Sequence, residues 1–250
     1  MKIRLLALAM TGLLVLTACA QKQATLTVRI VDGAETGVLM VADLDGGSGI
    51  YRLGADDGPV TIDGHPATPD DLADGMKITI TFDGTVQYSC PAGFYEVYAL
   101  DGDGSSVDDR CCGLYLQVLN DLWAAEPSLN EGAKQLAVDL SGLTDLTPGE
   151  KAGLAWRFGE DCRLSPAMEV PLEVLWQEGY LTPMTEGGEE DPNLCAWEDG
   201  CLFSITGDAE TGFEARKWRS GTDSYAFSDC TAQMAEDGSW TYTVGEAGAP

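Results

Sequence analysis

The spacing of apolar residues changes twice along this chain of 250 residues, and that change constrains the fold more than any other feature. Between residues 24 and 100 polar and apolar side chains alternate, as in the run 25–30 (TLTVRI), which is typical of strands with one face in a core. From residue 111 to about 179 the spacing becomes helical, and after Gly200 it returns to two. The chain therefore predicts a β region, then helices, then a second β region.

This pattern predicts two small domains. Residues 24–100 are expected to form an all-β, OB-like barrel, because their strands are short and one helical turn at 68–72 lies between them. Residues 101–110 are interpreted as an acidic linker with little apolar surface, so we expect the two domains to fold independently. Residues 111–250 are predicted to be an α+β domain in which helices precede an antiparallel four-stranded meander.

Apolar spacing and capping signals place the elements of the second domain. Ser128–Glu131 has the pattern of a capping box and predicts a helix over 128–140, and Thr147–Glu150 predicts another in the same way. The predicted helices are 114–123, 128–140, 147–158 and 172–176, and the predicted strands are 201–206, 213–219, 224–233 and 239–244.

The N-terminal residues predict that the protein is exported. A short basic start precedes an apolar run from Leu5 to Leu16, which fits a secretory signal better than a membrane span. The run ends in Leu16-Thr17-Ala18-Cys19, which resembles the lipobox of bacterial lipoproteins. That resemblance implies that the Cys19 thiol receives a diacylglyceryl group and that residues 1–18, the lipoprotein signal peptide, are then removed. The alternative is an ordinary cleaved signal with a chance cysteine.

The net charge of the chain limits the classes of partner that it can bind. With 14 basic and 41 acidic residues the net charge is −27, so a nucleic-acid partner is excluded, because phosphate binding needs a basic face. The predicted tether, residues 19–23, spans at most about 17 Å, which keeps the body at the outer side of the cell membrane. Anionic lipid would repel this body, so we expect the acyl chains alone to hold it to the bilayer.

Several segments are similar to surface lipoproteins of Gram-positive anaerobes. The resemblance implies a lipid-anchored surface protein with an OB-like N-terminal domain, and it brings no assigned activity, cofactor or catalytic residue. The segments that carry it are VTIDG (60–64), DLADGMKITITFDG (71–84), CGLYLQVLNDLW (112–123), AWRFG (155–159), DGCLF (199–203), KWRSG (217–221) and DCTA (229–232).

Few residues suggest catalysis. His65 is the one histidine, which excludes sites with several histidine ligands, and the sequence contains no nucleophile elbow, HExxH, Walker loop or GxGxxG. We therefore predict no cofactor and no metal. Among the acids, Glu173 and Glu198 lie beside apolar and tryptophan residues. They are the best candidates for the alternative function, a carboxylate-based hydrolase acting on cell-surface glycans.

The cysteines leave two alternatives open. Export permits disulfides, but the number of cysteines other than Cys19 is odd, so a monomer keeps at least one thiol. Structural bridges and reduced core thiols both fit the sequence. The seven are Cys90, Cys111, Cys112, Cys162, Cys195, Cys201 and Cys230.

The densest cationic cluster is Arg216-Lys217-Trp218-Arg219. Strand alternation places Arg216 and Trp218 on one face, where a guanidinium and an indole could bind a sugar or an anion. The alternative is a cross-strand ladder of ion pairs around a core tryptophan. The predicted function is a non-catalytic binding or assembly module, with a cell-surface protein or glycan as partner and with this strand in any binding site.

Overall fold

The computed structural model describes residues 23–105, 110–164, 166–184, 194–236 and 238–249. In this part of the chain the helices are α1 (Cys111–Ala124), α2 (Pro148–Asp161) and α3 (Leu172–Gln177). The strands are β1 (Ala24–Asp32), β2 (Val38–Asp43), β3 (Ile50–Gly54), β4 (Val60–Ile62), β5 (His65–Ala67), β6 (Lys77–Phe82), β7 (Ala92–Gly93), β8 (Val97–Gly102), β9 (Gln135–Asp139), β10 (Met168–Glu169), β11 (Thr182–Pro183), β12 (Cys195–Ala196), β13 (Gly200–Asp208), β14 (Gly212–Trp218), β15 (Ser224–Met234), β16 (Trp240–Thr243) and β17 (Glu246–Gly248). None of the described helices is long and apolar enough to cross a membrane.

The N-terminal strands form one open sheet in the order β5-β4-β8-β6-β1-β2-β3-β7. The pairs β4–β8 and β3–β7 are parallel, and the others are antiparallel. Within the described residues β5 and β7 form its two edges and do not pair with each other. The predicted OB-like barrel is therefore wrong.

The physical reason lies in the burial of both faces of this sheet. Leu39 and Val41 of β2 belong to a core on one face, together with Ile30 and Ile80. Their neighbour Met40 lies in a second core on the opposite face. A small barrel has one apolar interior, whereas this sheet is covered on both sides, so its curvature does not need to close it.

The C-terminal strands form a sheet in the order β10-β9-β13-β14-β15-β16, with β17 also paired to β15. The predicted meander is present, because β13, β14, β15 and β16 follow one another as antiparallel neighbours. It is part of a larger mixed sheet, however, because β9 pairs in parallel with both β13 and β10. A small two-stranded sheet of β11 and β12 lies beside it. The predicted layout of helices followed by a four-stranded meander is therefore also wrong.

Strand β9 replaces a predicted helix. Residues 128–140 form a short 3-10 turn, Pro127–Leu129, and then the strand. Leu136 and Val138 enter the core beneath the helices, while Ala137 enters a separate core on the other face. A strand buried on both faces has continuous apolar residues, which a helical pattern also produces.

The two halves of the chain share one hydrophobic core. Val31, Met40 and Ile50 of the N-terminal sheet belong to the same cluster as the inner faces of α1 and α2 and the C-terminal sheet. Helices α1 and α2 therefore lie between the two sheets, whereas α3 packs on the outer face of the C-terminal sheet through Leu175. The predicted layout of two small domains is wrong, because neither sheet covers its inner face without the helices.

Helix α2 is fixed to the N-terminal sheet at its start. Thr147 and Glu150 form the predicted capping box, in which the Thr147 amide donates to Glu150 Oε2 at 2.8 Å. The other oxygen of the buried Glu150 accepts a hydrogen bond from Arg29 Nε at 2.7 Å. At the far end of the helix Arg157 forms an ion pair with Asp32 at 2.6 Å. These contacts hold the helix across β1.

Candidate functional site

Lys217, in the predicted binding strand, is buried and faces the end of α1. Its ammonium donates hydrogen bonds to the backbone oxygens of Trp123, Ala125 and Glu126. Burial lowers the pKa of Lys217 below its ordinary value, whereas carbonyl oxygens at the carboxyl end of a helix favour a cation. Lys217 therefore caps the carboxyl end of α1 with a positive charge.

The neighbouring residues of this strand have different surroundings. Trp218 is buried in the core on the outer face of the C-terminal sheet. Arg216 is exposed and donates to Ser224 Oγ at 3.0 Å. Arg219 donates to three backbone oxygens, those of Leu129, Glu131 and Glu198. Of the four residues, Arg216 alone is exposed, and the proposed ligand contact of this strand stays a prediction.

The other residues singled out in the sequence are dispersed. Glu173 and Glu198 are both exposed, whereas a carboxyl that acts as a general acid is usually kept protonated by burial. They do not support the hydrolase, which stays a prediction. His65 is exposed at the edge strand β5, and Cys19 lies outside the described residues. Among the described residues no group of three or more His, Cys, Asp or Glu side chains could hold a metal ion.

Four cysteines form no disulfide in the described part of the chain: Cys90, Cys162, Cys201 and Cys230. Burial raises the pKa of both Cys162 and Cys201 to about 12, so these thiols stay protonated and unreactive at neutral pH. For Cys162, Cys201 and Cys230, which are partly or fully buried, the structure fits the second of the two alternatives, reduced core thiols, whereas Cys90 is exposed.

A crevice of about 500 Å³ opens where the two halves of the chain meet. Its walls come from β1, the start of α1, the segment before α2, the turn between β13 and β14, and the ends of β15 and β16. This volume is in the range of small-molecule sites. The lining residues are Arg29, Cys111, Thr144, Asp145, Asp208, Ala209, Glu210, Thr211, Met234 and Trp240.

Asp145 is the central polar residue of the crevice. Its Oδ2 accepts hydrogen bonds from the Tyr115 hydroxyl at 2.6 Å and from the Ala209 amide at 3.0 Å. Burial, with the adjacent Asp145 carboxylate, raises the pKa of Tyr115 far above its ordinary value, so this hydroxyl remains a donor. Oδ1 of Asp145 is buried and has no hydrogen-bond partner among the described residues. One carboxylate oxygen is therefore fixed by two donors, and the other is buried without one.

Trp240 also lines the crevice. Its indole Nε1 is buried and has no hydrogen-bond partner within the described ranges, although the ring packs against the shared core. Buried polar groups are nearly always hydrogen-bonded, so an acceptor and a donor without partners in one crevice require an explanation.

The turn opposite Asp145 is held by Asp208. Its Oδ1 accepts from the amides of Glu210 at 2.9 Å and Thr211 at 2.7 Å. Hydrogen bonds from Thr211 lower the pKa of Asp208, so this carboxylate is ionised at neutral pH. The crevice therefore has an acidic rim, which disfavours anionic ligands.

No local pattern in the sequence marks this site. In the sequence Asp145 is an acid in a predicted turn, and nothing distinguishes it from the other acids among the 41. Trp240 fits the apolar face of a predicted strand. The capping box that starts at Thr147 predicts the helix after Asp145 and gives no information about what faces it. Both residues line the crevice because α1 and α2 pack between the sheets, and no local pattern encodes that packing.

Comparisons with known proteins do not assign the chain to a family. No protein-family model, no curated protein and no solved structure matches it significantly.

Proposed function

We propose that this protein is an extracytoplasmic lipoprotein, anchored through acylated Cys19, whose folded body binds a neutral glycan in the crevice and catalyses no reaction. The lipobox at residues 16–19 supports the anchor. The acidic rim supports a neutral ligand in preference to an anion.

The observation that carries the binding proposal is the pair of unpartnered atoms, Asp145 Oδ1 and Trp240 Nε1. Leaving a buried polar group unpaired costs about 1–3 kcal/mol. A sugar hydroxyl both donates and accepts, so a saccharide would satisfy both atoms once neighbouring side chains move aside, because neither atom is in contact with water. Its apolar ring face could also pack on the indole, which is a common arrangement for amphipathic ligands.

Replacing Trp240 by phenylalanine should weaken saccharide binding, because the aromatic ring stays and the N–H donor is lost. We expect at least one of cellobiose, maltose and chitobiose to bind the wild-type protein. The dissociation constant should rise roughly 3- to 10-fold in Trp240→Phe, the effect of one hydrogen bond. Isothermal titration calorimetry measures the dissociation constant of each sugar for the wild-type protein and for the variant.

Trp156→Phe is the matched control for this experiment. The Trp156 indole N–H is also buried without a partner in the described part of the chain, but Trp156 does not line the crevice. Its substitution should leave saccharide binding unchanged. Equal weakening by the two substitutions, or failure of all three sugars to bind, would contradict a glycan site at Trp240.

A further inference from the structure

Residues 83–96, here called the aromatic hairpin, connect β6 to β8 and differ in composition from the rest of the surface. From Thr85 to Tyr95 there is no charged residue, in a chain with 41 acids. Tyr88 is fully exposed, and Tyr95 and Val86 are 66% and 42% exposed. Uncharged, exposed aromatic surface of this kind commonly marks an interaction site.

The hairpin is an ordered element. Val86 and Phe94 form an antiparallel bridge, and the Gln87 amide donates to the Gly93 oxygen at 2.7 Å. The Phe94 ring packs against Phe82 with a centroid distance of 5.0 Å. The exposed tyrosines are therefore presented by a supported structure.

The hairpin begins and ends where the lipid tether reaches the fold. Ala24, the first residue of β1, pairs with Phe82, the last residue of β6, and Phe82 also pairs with Val97 at the start of β8. Neighbouring strands lie about 5 Å apart. Cys19 precedes Ala24 by five residues, which allow at most about 17 Å. The base of the hairpin is therefore close to the bilayer surface if Cys19 is acylated.

We propose that the aromatic hairpin docks on the lipid bilayer, with Tyr88 and Tyr95 at the level of the headgroups. The proposal rests on the lipid anchor of the proposed function and is independent of the crevice. Tyrosine is enriched at membrane interfaces, because its ring is apolar and its hydroxyl stays hydrated. The anchor supplies the proximity, so the hairpin needs only a weak affinity to orient the body.

The charges at the base of the hairpin limit the depth of contact. Asp83 and Glu96 flank it, and the Asp83 amide donates to the Glu96 backbone oxygen at 3.1 Å. Carboxylates do not enter the hydrocarbon core, so the contact is interfacial. The acidic composition predicts attachment by the acyl chains alone, and the uncharged hairpin revises that expectation. Because anionic lipid would still repel the rest of the body, a zwitterionic bilayer is the partner for the hairpin.

Fluorescence quenching by brominated lipid tests this docking. The full acylated chain is reconstituted into phosphatidylcholine vesicles with or without bromine on the acyl chains. Tyr88→Trp and Tyr95→Trp each add one tryptophan at the hairpin. Tyr180→Trp is the matched control, because Tyr180 is also partly exposed, at 38%. It packs on Trp197 on the outer face of the C-terminal sheet. Helices α1 and α2 separate this face from the sheet that carries the hairpin.

The fluorescence of the introduced tryptophan is the difference between each variant and the wild-type protein. Brominated lipid should reduce this difference roughly twofold for the two hairpin variants and leave it unchanged for Tyr180→Trp. Vesicle flotation in the same samples separates the two proposals. Protein that floats while both hairpin probes remain unquenched overturns the docking and leaves the anchor intact. Protein that does not float overturns the anchor, and the docking with it.

Discussion

Replacing Gly149 by alanine should destabilise the whole protein by about 2 to 3 kcal/mol, because it forces two packed elements apart. A Cβ at Gly149 would lie 2.5 Å from the backbone oxygen of Asp43 and 3.0 Å from its amide nitrogen. Both are backbone atoms of β2 and have little freedom to move. Farther along the same face of α2, Gly153 would bring its Cβ to 3.1 Å from Val31, so the helix lies close to the sheet over more than one turn.

Gly113→Ala is the matched control. Gly113 lies in α1, and a Cβ there would have no heavy atom within 4 Å. This substitution should stabilise the protein by about 0.5 to 1 kcal/mol, as expected for glycine to alanine in a helix. Denaturant unfolding should show one transition in both variants, at lower denaturant for Gly149→Ala. Two separate transitions, or equal midpoints for the two variants, would contradict a shared core.

Lys217→Met should destabilise the protein by about 1 to 3 kcal/mol, because part-buried carbonyl oxygens lose the ammonium that donates to them. Methionine fills a similar volume without a charge. The Ala125 oxygen at the end of α1 would then lose the ammonium. The Trp123 oxygen keeps Asn130 Nδ2 as a donor, and the Glu126 oxygen keeps the Leu129 amide. The free energy gained by no longer burying a charge offsets part of this loss.

The neighbouring Arg216→Met is the control for Lys217→Met. Arg216 is exposed and bonds to one hydroxyl, so its replacement should change the free energy of unfolding by less than about 0.5 kcal/mol. The comparison is made by urea denaturation monitored by circular dichroism. A larger effect at Arg216 than at Lys217 would show that the strand is stabilised mainly on its outer face.

Elements with strong local signals were predictable from the sequence. α1 and α2 follow from apolar residues at helical spacing, and the capping box at Thr147 places the start of α2 correctly. The four meander strands follow from alternation after residue 200. Strand β9 is not predicted, because Leu136, Ala137 and Val138 are all buried. Consecutive apolar residues fit neither the alternation of a strand with one buried face nor a helix alone, so the pattern does not separate the two.

The packing between the halves was not predictable, because it depends on residues far apart in the chain. Met40 and Ala42 form part of a continuous apolar run in β2, which indicates burial on both faces. The run does not indicate that a helix beginning at Pro148 covers one of those faces. The crevice depends on the same packing, and so Asp145 could not be distinguished from solvated acids.

The lipid on Cys19 is the claim on which both the anchoring and the membrane contact depend. Intact-mass spectrometry of the protein extracted from membranes of an expressing bacterium tests it most directly. The mass should equal residues 19–250 plus a diacylglyceryl group, and Cys19→Ser should give the uncleaved chain without lipid. A wild-type mass that corresponds to an unmodified chain, whether full-length or cleaved at another position, would contradict the lipoprotein assignment.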